Sequence, residues 1–150
     1  MFRLDEQARS ILAALKNVPE LAGVAWLDDD QMLAAAPARM PAVWLTLERL
    51  ELAGTGVPAG MGVIVWAVAL KVKRLREKTD GRPALIITDA ILNCLHGLRG
   101  PAAWARPLCF SRLECLELQS EAAAYILHFT TQVYLLQTPR HVGAAYQQIK

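Results

Sequence analysis

Apolar positions recur along this chain with two different periods, and the switches between them lay out an order of elements. From Leu4 to Val18, the residues Leu4, Ala8, Ile11, Leu12 and Leu15 keep the three- and four-residue spacing of an amphipathic helix. Asp5 and Glu6 fall in its first turn and Lys16 in its last, which suits the helix macrodipole, and Pro19 ends it. Gly23 to Leu27 is a short strand candidate. Ala42 to Leu52 alternates with period two: Val43, Leu45 and Leu47 face one way, Trp44, Thr46 and Glu48 the other. Val63 to Arg74 alternates likewise, with Ile64, Trp66, Val68, Leu70 and Val72 on one face and Val65, Ala67, Ala69, Lys71 and Lys73 on the other. The second face turns charged toward its end, which predicts that the strand leaves the body of the protein there.

The helical period returns in Pro83 to Gly100, PALIITDAILNCLHGLRG. Thr79-Asp80-Gly81 forms the turn before it, Pro83 suits a first turn, and Gly100-Pro101 is expected to stop it. Ile87, Ile91, Cys94, Leu95 and Leu98 make its core stripe, and polar substitution at Ile87, Ile91, Leu95 or Leu98 should destroy the fold. Leu108 to Leu118 and Ala123 to Leu136 are two further strands, with Ser120-Glu121 at the turn between them.

The connections fit this order. Asp28-Asp29-Asp30 can cap a short helical turn through Met32 to Ala36, and Pro37 and Pro41 bracket the next loop. Gly54 to Gly62 reads as a flexible loop at the tip of a projecting hairpin made by the two long strands. The expected fold is α+β in the order α-β-β-β-α-β-β, with two helices on one face of a largely antiparallel or mixed sheet. One domain should span residues 1–137. Residues 138–150, with Pro139, Gly143 and little to bury, read as a flexible tail or docking arm.

Composition narrows the class without naming a function. The chain has 150 residues, 54% of them apolar and 20% charged, enough to bury a core. A net charge of +2 demands neither nucleic acid nor an acidic partner. No apolar run reaches the ~18 residues of a membrane span, and Asp5, Glu6 and Arg9 break any signal-peptide pattern, so a cytoplasmic compartment is expected. Cys94, Cys109 and Cys115 are an odd set. Cys109 and Cys115 lie roughly 20 Å apart along one strand, too far to bridge, and small apolar filler is their expected role.

No pattern of catalytic or metal chemistry emerges. His96, His128 and His141 are dispersed, and Cys94 and His96 point to different sides of their helix. Gly54, Gly56, Gly60 and Gly62 match neither a P-loop nor a dinucleotide fingerprint. No metal, cofactor or catalytic residue is expected. The clustered cations are Lys71, Lys73, Arg74, Arg76 and Lys78. No aromatic residue interleaves them, so direct nucleic-acid binding is not expected, and a solvated hairpin end or a protein interface is. Trp104, between Pro101 and Pro107, is the tryptophan expected to be exposed and a candidate contact.

The whole pattern resembles the phage tail terminator proteins, including tail-completion proteins of Mu-like prophages and lambda-like minor tail proteins. The matching elements are the helix Asp5 to Leu15, the short strand through Val24 and the Pro-led strand Pro41 to Leu47. They continue with the strand Val63 to Val72, the helix ITDAILNCLHGLRG, and the strands LCFSRLECLEL and AAYILHFTTQVYL, about residues 4 to 137 in all. The resemblance rests on element order and hydrophobic pattern, and head–tail connector or neck proteins share it in size and composition. It implies a non-enzymatic virion protein that caps the tail tube as a ring of its own copies, usually a hexamer. Such a protein ends tube growth and meets a head-completion or neck protein, after assembly in the host cytoplasm. On that reading the interaction candidates are Gly54, Gly56, Gly60, Lys71, Lys73, Arg74, Arg76, Lys78 and Trp104. A small ligand-binding or enzymatic α+β domain, with a pocket around His128 or Cys115, is the competing class.

Overall fold

The computed structural model describes residues 3–27, 39–52, 60–73, 82–101, 104–118 and 122–134. Among these residues five strands form one sheet, in the spatial order β1-β2-β3-β5-β4. They are β1 (Gly23–Trp26), β2 (Ala42–Leu52), β3 (Met61–Lys73), β4 (Cys109–Leu118) and β5 (Ala122–Tyr134). β1 runs parallel to β2, and every other pairing is antiparallel. With the helices α1 (Leu4–Lys16) and α2 (Arg82–Leu95), the α-β-β-β-α-β-β order and the mixed sheet expected from the pattern are present.

One face of the sheet carries the main core. Val43 and Leu45 from β2, Ile64, Trp66, Val68, Leu70 and Val72 from β3, and Leu127, Phe129 and Val133 from β5 are buried there. Ile11 and Leu15 of α1 and Ile87, Ile91 and Leu95 of α2 complete it. These helical residues are the stripes visible in the sequence. The helices are joined to each other by the Cys94 thiol, which donates to the Ala14 carbonyl oxygen at 3.1 Å. A smaller cluster of Ala42, Trp44 and Ala69, with Leu27 and Ile126 against it, lies on the other face.

Four expectations need correction. The long hairpin does not project, because β3 is the central strand and pairs with β5 from Met61 to Lys73 as well as with β2. Lys71 accordingly does not mark a strand leaving the body: it is buried, while Lys73 is exposed. The alternation sets Lys71 and Lys73 on one face, but one strand alone gives no sign of being flanked on both sides. Helix α2 stops at Leu95, ahead of Gly100, because Gly97 takes a positive φ of 85° and turns the chain. Its N–H then donates to Leu108, fixing the way into β4. Cys109 and Cys115 are exposed and do not fill the core, since β4 is the outermost strand.

Candidate assembly surface

Sheet edges are where this fold has unused bonding capacity, and the sequence of each strand decides which edges are open. β1 is four residues long. It covers β2 only from Ala42 to Leu45, and its line ends with the Leu27 N–H donating to Leu45. Among the described residues, no strand pairs with β2 beyond that point on its outer side, or with the outer edge of β4, where the Phe110 N–H at its start donates to His96 Nδ1 at 3.0 Å and the open stretch lies beyond it. Two unpaired edges therefore lie on opposite sides of one sheet. Backbone groups on such edges are templates for another strand.

The side chains along both edges are a mixture of leucine and opposite charges. On the outer half of β2, Leu50 and Leu52 are exposed, and Arg49 and Glu51 sit 3.6 Å apart. On β4, Leu113, Leu116 and Leu118 are exposed, and Arg112 and Glu114 form an ion pair at 3.0 Å. Each edge strand has irregularities of register, between Leu47 and Arg49 in β2, and between Phe110 and Arg112 and Cys115 and Glu117 in β4. Bulges of this kind restrict how an edge can be approached.

Beside the open half of β2 lies an apolar groove of about 360 Å³, lined by Leu4, Ala8, Leu12, Trp26, Leu47 and Trp66. α1 forms one wall and the sheet the other. Trp26, at the end of β1, is the exposed tryptophan of this structure, and its ring meets that of Trp66 edge to face at 6.4 Å.

The residues singled out from sequence are only partly brought together. Trp104 is half-buried: it packs against the main core, bridges to Val133 of β5 and covers Gly100. Lys71 and Lys73 lie at the far end of β3, away from Gly60, which precedes Met61 with a positive φ of 84°. Gly54, Gly56, Arg74, Arg76 and Lys78 lie outside the described residues, as do the Asp28–Asp30 run and residues 138–150.

A polar cluster that sequence reasoning missed sits on the sheet face opposite the helices. His128 of β5 is buried, its Nδ1 lies 2.5 Å from Glu48 Oε2, and its Nε2 lies 3.8 Å from Glu114 Oε2. The pairing Ala67↔His128↔Arg112 explains the reach. Alanine on the intervening β3 leaves room for a carboxylate of β2 to meet a ring on β5. Glu48 enters this position as the extra residue of the β2 irregularity. The sequence hint is a histidine set between Leu127 and Phe129 in a strand. Among the described residues, no group of three or more His, Cys, Asp or Glu is placed to hold a metal ion. His128 lines neither the apolar groove nor the 240 Å³ pocket around Trp104 and Arg106. Cys115 pairs with Tyr125, so it is on the helix side of the sheet, away from His128.

No protein-family model matches the chain, and no curated protein matches it. Among solved structures, a chain described as the virion of a native gene transfer agent particle is similar, with 14% identity and a TM-score of 0.47. The match covers 82% of this chain and 83% of that one.

Proposed function

We propose that this protein is a non-enzymatic phage structural protein that assembles as a closed ring, capping a tail tube and ending its growth. The observation that carries the proposal is the pair of open edges on two different strands running in opposite directions, the outer half of β2 on one side of the sheet and β4 on the other. Two separate edges on one subunit, whose strands run antiparallel and whose charges match crosswise, can be joined by head-to-tail contacts, and such contacts give rings when the rotation closes. The order of elements, which resembles that of tail terminators, agrees with this reading, and so does the mixture of leucine and paired charges on both edges. The ring is expected to be a hexamer, with the tube protein on one side and a head-completion or neck protein on the other.

The test is direct. The purified protein is weighed in solution by light scattering and imaged by negative-stain electron microscopy, alone and with tail tubes. Rings of one symmetry that sit on tube ends are expected. A monomer at every concentration, with bare tube ends, would overturn the proposal.

A further inference from the structure

We infer that the subunits of this ring are joined edge to edge into one continuous sheet, with Arg49-Leu50-Glu51 of β2 paired antiparallel to Arg112-Leu113-Glu114 of a neighbouring copy. The assignment rests on the ring proposed above and adds its interface and register.

Backbone direction comes first. The Leu45 carbonyl accepts from Leu27, so Leu45 turns its N–H and C=O away from β3. In an antiparallel pair, hydrogen-bonded and non-hydrogen-bonded partners alternate, so this orientation can be followed across the sheet. Leu45 faces Val68, Val68 faces Leu127, and Leu127 faces Leu113. Leu113 therefore points its backbone groups out of the free edge of β4. Ile64 shares the direction of Val68, four residues on, so its partner Leu50 points outward from β2. Placed opposite each other, Leu50 and Leu113 exchange both backbone hydrogen bonds.

The side chains agree with the same register. Leu50 and Leu113 stand on the helix side, opposite core residues Ile64 and Leu127. Arg49, Glu51, Arg112 and Glu114 stand on the other side, in register with Val65, Val63, His128 and Ile126. The pairing sets Arg49 against Glu114 and Glu51 against Arg112, two opposite-charge cross-strand pairs around one leucine pair.

The topology permits this without turning the neighbour over. β2 and β4 run in opposite directions within one chain, so a copy moved sideways presents its β4 antiparallel to β2, helices on the same face. Leu113 is level with Val68 and Leu50 with Ile64, so the neighbour is offset by four residues along the strand, roughly 13 Å. That offset sets the paired segment clear of β1, which ends beside Leu45. A constant offset at each junction tilts the strands against the ring axis, as closure of a sheet requires.

Charge reversal tests the register. Arg49→Glu and Glu114→Arg are each expected to lose the ring while keeping the circular dichroism of the folded chain. The double variant R49E/E114R, which restores the opposite-charge pair between positions 49 and 114, is expected to regain it. Glu51→Arg and Arg112→Glu, alone and together, repeat the test at the second pair. A ring that survives R49E, or a folded double variant that stays monomeric, would overturn the inference. So would disulfide dimers of a Leu113→Cys variant lacking Cys109 and Cys115, because β4 pairing with β4 of a second copy also matches Arg112 with Glu114 but makes a two-fold dimer. Rings in the unmodified protein that ignore all these changes would sink the interface and leave the capping role standing. An unmodified protein without rings would sink both.

Discussion

Gly100 lies directly beneath the indole of Trp104: a Cβ on Gly100 would stand 2.5 Å from ring carbons Cε3 and Cζ3. The glycine is required for the approach of the ring, which covers the chain between α2 and β4 and reaches the core beside Val133. Gly100→Ala must push the ring off this position. Overpacking of that kind costs about 1–3 kcal/mol. Chemical denaturation should report a loss in this range, and tryptophan emission should shift as the indole is displaced. An alanine variant with unchanged stability would mean that the loop moves aside freely.

Gln7 presents the opposite situation, a polar group where the helix calls for an apolar one. It lies on the inward side of α1, 1% exposed, and among the described residues neither its amide oxygen nor its nitrogen finds a hydrogen-bond partner. A buried amide left without partners costs about 1–3 kcal/mol. Gln7→Met keeps the length of the side chain and removes the polar atoms, so the variant should unfold at higher denaturant concentration with an unchanged slope. A fall in stability would show that the amide is engaged.

Most of the architecture was legible in the sequence because it depends on local period. The two strands Ala42–Leu52 and Met61–Lys73 and the stripe of Ile87, Ile91 and Leu95 each announce themselves in a window of a dozen residues. What was not legible depends on the order of strands in space. Nothing within β3 tells that it is flanked on both sides, so Lys71 read as solvated although it is buried. Nothing within β4 tells that it is outermost, so Cys109 and Cys115 read as core filler although they are exposed. The edge residues Leu50 and Leu113 were hidden for the same reason, since an open edge is a property of the neighbours a strand lacks.

The contact of Glu48 with His128 is another product of spatial order, and it should be measurable as a coupling. Glu48 is the half-exposed member and His128 the buried one. Removing the carboxylate leaves the imidazole Nδ1 without its partner, in addition to Nε2, which among the described residues makes no hydrogen bond and has only the Glu114 carboxylate at 3.8 Å. Glu48→Ala is expected to destabilise by about 1–3 kcal/mol, more than an ordinary exposed glutamate. In a double-mutant cycle with His128→Ala, the two losses should be clearly less than additive. Additive losses would mean that the short contact carries no energy.

The three cysteines differ in reactivity in a way that tests the helix–helix contact. The thiolate is the nucleophile, so a thiol held in its neutral form reacts slowly. Burial pushes the Cys94 thiol above its ordinary value, and its proton is donated to the Ala14 carbonyl at 3.1 Å. Cys109 and Cys115 are exposed on β4. With an aromatic disulfide reagent near pH 8, two thiols should react rapidly in the native protein, and Cys94 only on unfolding. The sign of the linkage follows. An unfolded Cys94 ionises before the folded one, so its contribution to stability is complete below the ordinary thiol range and falls as pH rises through the higher folded value. Cys94→Ser should therefore flatten the alkaline decline in stability. Rapid labelling of all three thiols in the native state would show that α1 and α2 separate readily and that the Cys94–Ala14 bond does not hold them.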